Sequence, residues 1–166
     1  MSNATFEELL YGKGAHLDPV ACLEDLPAAV AGKKIDGFPH SIFQIIGHVN
    51  YWMDNDLRRI EGEHPPYPEH AAESWSANAL VGDAEWRAEL QRFNFLLDKV
   101  REMSASKPEI LQRHVEATHP SHNDRASSVE AVLWQLLVHN SYHLGQIVML
   151  RRCLGAWPPR GGSDTW

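Results

Sequence analysis

The sequence predicts an all-α fold, a bundle of four helices forming a single domain over residues 1–166. Three observations carry that expectation. Four segments repeat apolar residues every three or four positions, the spacing of one helix face. No segment alternates cleanly between hairpin turns with the β-branched and aromatic residues that strands favour. Capping residues stand where the periodic segments begin.

The first segment opens at Asp18, a good N-cap, with Pro19 at the first helical position, where its missing N–H costs nothing. It runs through Val20, Leu23 and Leu26. Pro27 interrupts it, Ala28 to Ala31 restart it, and Gly32 ends it; FEELLYG before it is expected to add a short extra turn. The second segment starts at Ser41, which with Gln44 has capping-box spacing, and closes at Gly62. Its apolar series is Ile42, Ile45, Ile46, Val49, Trp52, Met53, Leu57 and Ile60. A loop from Glu63 to about Gly82 follows, too long for an idle connection in a compact domain, and so expected to serve a function or an interface.

Asp83 opens the third helix, with Trp86, Leu90, Phe93, Leu97 and Val100 as its buried stripe and an end near Ser104. Pro108 begins a short helical piece, PEILQRHVE, before the loop ATHPSHNDRA. Ser127 and Glu130 read as a second capping box, starting the longest helix, from about Ser128 to Leu154 and about 40 Å long. Val129, Val132, Leu133, Leu136, Leu137, Leu144, Ile147, Val148 and Leu150 wrap most of its circumference, so it is expected to be central or shared with a partner. The Pro/Gly-rich tail from Gly155 ends in tryptophan and is expected to lie against the body, burying Trp157 and Trp166.

The totals narrow the functional classes. A net charge of −7 with only scattered basic pairs argues against nucleic acid, whose phosphates need clustered Lys and Arg. No apolar stretch reaches the roughly 20 residues that span a bilayer, and the start MSNATFEELL lacks the pattern of a signal peptide. The two distant cysteines, Cys22 and Cys153, fit reduced thiols packed on helices better than a disulfide framework, and the cytoplasm is the expected location.

The chemistry rests with histidine. His139 and His143 in HNSYH are one helical turn apart, about 5–6 Å between Cβ atoms, and His48 lies in another apolar helix. Burying imidazoles among Ile, Leu and Trp costs free energy unless both ring nitrogens find partners. Two readings answer this: hydrogen-bonded core histidines, or three ligands of one divalent ion with open positions, the arrangement of a reactive rather than a structural site. Gln44, Asn55, Gln135 and Gln146 share these helix faces and are candidates to orient the rings. No side chain stands out as a general base; Tyr142, Asp54 and Asp56 are the candidates nearby in sequence. His16, His40, His64 and His70 read as solvated loop residues without a role. His114, His119 and His122 read as a polar surface loop, with a second metal site, or one of them at the mouth of the first, as the alternatives. Position 140 is Asn, so the zincin H-E-x-x-H is absent; the Glu-x-x-His pairs at Glu61 and Glu116 fall at helix ends or in loops, against a ferritin-like di-iron centre. G-x-S-x-G, Walker and G-x-G-x-x-G patterns are absent too.

Three stretches together, IIGHVNYW, HNSYHLGQIVMLRR and the closing LGAWPPRGGSDTW, resemble the DinB/YfiT-like proteins. The resemblance follows the order of elements along the chain and is most specific from about Val129 to Trp166; the first helix, broken at Pro27, fits it least. It implies a four-helix bundle, often dimeric, with a three-histidine metal site whose ligands here are His48, His139 and His143. Zinc or nickel suits such ligands best, with iron or manganese next. The family contains thiol-dependent transferases and isomerases that use a low-molecular-weight thiol. The implied function is therefore a metal-dependent enzyme acting on a small molecule, with an S-transferase as the leading form. A metal-dependent hydrolase is one alternative, and a non-catalytic, dimeric metal-binding module the other. An imidazole-held ion could serve either enzyme by lowering the pKa of a bound thiol or water.

Overall fold

The computed structural model describes residues 3–79, 82–117 and 128–160. Helices account for its regular structure: α1 Asn3–Leu10, α2 Pro19–Leu23, α3 Ala28–Ala31, α4 Ile42–Ile60, α5 Asp83–Ser104, α6 Pro108–Leu111 and α7 Val129–Cys153. Among the described residues no strand occurs, only an isolated bridge between His114 and Ser128. The fold is all-α, as the periodicity predicts.

The long helices start and stop for local reasons. At α4, Ser41 accepts from the Gln44 amide while the Gln44 side chain accepts from the Ser41 amide, satisfying two otherwise orphaned donors. Gly62, at φ +90°, lets the Gly62 and Glu63 amides fold back onto the Arg59 and Arg58 carbonyls. Gly155, at φ +68°, closes α7 in the same way, its amide on Arg152 and that of Ala156 on Arg151. The cap of α7 lies one residue later than the sequence indicates. Ser128 accepts from the Ala131 amide, so Glu130 sits too early in the helix for a capping box and instead accepts from Gln112 at 2.8 Å. Ser127 lies outside the described residues.

α4 packs most extensively on α5 and next on α7, and its stripe of Ile42, Ile45, Ile46, Val49, Met53, Leu57 and Ile60 is buried. Trp52, expected in that stripe, is only half-buried. The chain before α4 packs as separate pieces: α1 rests on α5, α2 on α7, and α3 on α4 and α5. α1 is a full eight-residue helix rather than an extra turn, because Phe6 and Leu10 are buried in the core, Phe6 edge-on to Trp134 at 5.0 Å. α6 stops at Leu111, short of the expected PEILQRHVE span.

One buried cation binds the α2–α3 corner to the chain after α7. Arg151, only 2% exposed, donates to the carbonyls of Cys22, Glu24 and Ala156 and to the Asp25 carboxylate at 3.0 Å. Asp25 itself is left-handed at φ +57°, and its other oxygen accepts from the Arg160 amide. Trp157 packs against the core with Arg152 over its ring, as expected of the tail; Trp166 lies outside the described residues. Cys22 is fully buried, which pushes its thiol up to about 12, whereas Cys153 is exposed; neither is in a disulfide.

Candidate metal centre

α4 and α7 bring His48, His139 and His143 together. His48 sits in the second turn of α4, and the other two project from successive turns of α7. Ring centroids lie 5.3 Å apart for His48 and His139, 4.9 Å for His48 and His143, and 4.5 Å for the α7 pair. Each ring offers one nitrogen to a set whose members all lie within 4.8 Å of one another.

The donor set suits a divalent ion. Nε2 of His139 and Nε2 of His143 are 3.1 Å apart. Two nitrogens bound to one ion at about 2.0–2.1 Å stand roughly 3.0–3.4 Å from each other, so this pair already has the separation of shared ligands. His143 Nδ1 lies 2.8 Å from the amide oxygen of Gln146 and donates to it, leaving Nε2 with its lone pair toward the cluster. His48 Nδ1 lies 3.0 Å from the Ser74 hydroxyl.

Electrostatics keep the rings uncharged. Burial, and then the two neighbouring imidazoles, push His48 down to about 3. Burial and then His143 push His139 down to about 4, and burial also lowers His143 against the opposing effect of its hydrogen bond to Gln146. Neutral imidazole is the form that binds metals.

His48 and His139 form part of the wall of a cleft of about 390 Å³. Trp52, Asp56, Gln135 and Leu136 line it from the two helices, and Tyr67, Pro68, Glu69, Ala71 and Ser74 from the long loop. Asp56 is held at 2.6 Å by the buried guanidinium of Arg59.

The cluster is the one expected, but its surroundings differ in part. Of the four polar residues expected to orient the rings, Gln146 does so. Gln135 lines the cleft, Gln44 caps α4 and donates to the Ser76 carbonyl at 2.7 Å, and Asn55 donates to Pro66. Tyr142 is 64% exposed, Asp54 pairs with Arg92 at 3.7 Å, and among the three candidate bases Asp56 alone lines the cleft. His16 is half-buried rather than fully solvated, and it bonds Leu17 and the Ser141 hydroxyl. His40 stacks on Trp75 at 3.6 Å. His64 and His70 are exposed, as expected. His114 lies in the bridge to Ser128, and His119 and His122 lie outside the described residues. Ser74 and Trp75, which touch His48, were invisible to periodicity; the length of their loop was the signal that could have pointed to them.

The family described as the DinB superfamily matches residues 19–147. The chain belongs to the DinB superfamily. All three histidines fall inside the DinB match, while α1 and the tail after α7 fall outside it. No curated protein matches the chain, and no solved structure does. In this DinB chain the histidine cluster could hold a metal ion, and no described helix is long and apolar enough to cross a membrane.

Proposed function

We propose that the chain is a metal-dependent enzyme in which His48, His139 and His143 hold a divalent ion beside the cleft and present it to a small-molecule substrate. The observation that carries the reading is the meeting of three neutral imidazoles, two of them at ligand separation and two of them, His48 and His139, in the wall of a cleft. Zinc or nickel is the ion this set favours, with iron or manganese next, and the cytoplasm is the proposed location.

The favoured reaction is transfer of a low-molecular-weight thiol to an electrophile. A bound divalent ion supplies the positive charge that turns a thiol into a thiolate at neutral pH. A free thiol, near pKa 8.5, already lies about seven units below water, so it needs little else. Hydrolysis asks in addition for a proton carrier, and Asp56 is tied to Arg59. Gln146 holds His143 in place, while Trp52 and Tyr67 supply aromatic walls that screen the reacting groups from water.

Metal analysis of protein purified without added metal tests the reading. The wild type is expected to carry close to one equivalent and His143→Ala almost none, with helical circular dichroism retained. A metal-free wild type across several preparations overturns it. Loaded protein assayed with small thiols and an electrophile is expected to consume thiol faster than the triple-histidine variant; equal rates remove the transferase form for that panel.

The same reading includes a homodimer. Val138, Tyr142 and Met149 stand 64%, 64% and 54% exposed along one side of α7, with Gly145 between them. Three large apolar side chains in line on the helix that carries two of the site's histidines support burial against a second copy.

A further inference from the structure

Ser74 and Trp75 belong to no helix that carries a histidine of the cluster, yet both touch His48. Ser74 ends the 3-10 turn Ala71–Ser74 in the long loop and is 4% exposed. Its Oγ lies 2.8 Å from the Ala71 carbonyl and 3.0 Å from His48 Nδ1. Between a hydroxyl and a carbonyl only the hydroxyl has a proton to give, so that proton goes to Ala71. The lone pairs of Oγ then face His48, and Nδ1 must be the donor. His48 is thereby fixed as the Nδ1–H tautomer, with Nε2 bare.

Trp75 fixes the plane of the same ring. It stacks parallel to His48 at 3.9 Å and 8°, and its other face stacks on His40 at 3.6 Å and 6°. The next residue is anchored as well, since Gln44, one turn before His48 on α4, holds the Ser76 carbonyl. Three consecutive loop residues are thus fastened to the helix that bears His48.

We infer that Ser74 and Trp75 are positioning residues that set the tautomer and ring plane of His48 and so tune metal affinity. The inference rests on the three-histidine reading above. It also assigns the long loop a second role besides lining the cleft: it holds a ligand in its binding form. A free imidazole divides between tautomers, and hydrogen-bond partners of ligand histidines are worth about 10–100-fold in metal affinity.

Two measurements on the full-length chain test it. In the metal-free protein, imidazole nitrogen NMR reads the tautomer directly: His48 is expected as Nδ1–H in the wild type and as a mixture, or as Nε2–H, in Ser74→Ala. Co²⁺ and Zn²⁺ titrations against a competing chelator are expected to show affinity about 10–100-fold weaker in Ser74→Ala, and weaker also in Trp75→Leu, with unchanged helical dichroism. A wild-type His48 in the Nε2–H form overturns the inference. So does wild-type affinity in Ser74→Ala. If the wild type binds neither ion, the metal reading itself falls, and the affinity claim with it. The tautomer result stands apart from that outcome.

Discussion

Among single residues, the three histidines were readable because spacing and surroundings agreed. A pair at i and i+4 in an apolar run, with a third imidazole in another such run, is costly to bury without a shared purpose. Ser74, Trp75 and His40 were not readable. The Ser74–His48 hydrogen bond joins residues 26 apart through a loop without periodicity, and His40 looks solvated until Trp75 is seen lying on it. The lowered histidine pKa values have a consequence for stability. Folded His48 and His139 accept protons only near about 3 and 4, whereas the unfolded chain takes them up near 6.5. Stability is therefore full above about pH 6.5 and is lost as pH falls toward 4, because the unfolded state binds more protons in that window. Thermal melts of chelator-treated protein are expected to show a flat Tm above that window and a falling one within it. The slope should shrink when all three histidines are replaced by glutamine. A Tm unchanged down to pH 4 would contradict burial of the three rings in neutral form.

Helices were legible to within a residue or two wherever a cap and a stripe coincided. Asp18–Pro19, Ser41–Gln44 and Asp83 each mark a true start. Among the short pieces α3 falls on the expected Ala28–Ala31 and α6 starts at the expected Pro108, whereas α1 was harder, because it owes its form to what it rests on rather than to its own pattern. The corner between α2 and α3 depends on one side chain from α7. Arg151→Met would leave three buried or half-buried carbonyls without this donor and the Asp25 carboxylate with Arg160 alone. Leaving buried acceptors without their donor costs about 1–3 kcal/mol, so urea unfolding should show a midpoint lowered accordingly. Arg151→Lys should recover only part of that, since an ammonium cannot span the same fork of acceptors. A loss under about 1 kcal/mol for Arg151→Met would show that water replaces the guanidinium.

For the molecule as a whole, composition and period predicted an all-α fold, and the described residues form one. The sequence did not show that three separate short helices, α1, α2 and α3, precede α4, because Pro19, Pro27 and the intervening turns break any long stripe. It did show that α7 is apolar on nearly every side, and the exposed Val138, Tyr142 and Met149 are the remainder its neighbours leave uncovered. The proposed dimer predicts sedimentation at about twice the chain mass of 18.8 kDa, and a monomer for Val138→Glu with metal content unchanged. A monomeric wild type at micromolar concentration would remove the dimer. The two cysteines make the protein its own measuring device. Cys22 is sealed in the core and Cys153 lies open, so a maleimide spin label attaches at one native position without mutagenesis. That position is ten residues along the same helix from His143, about 15 Å. A paramagnetic ion among the three imidazoles would broaden the label's signal, and a second label across a dimer would add its own dipolar splitting.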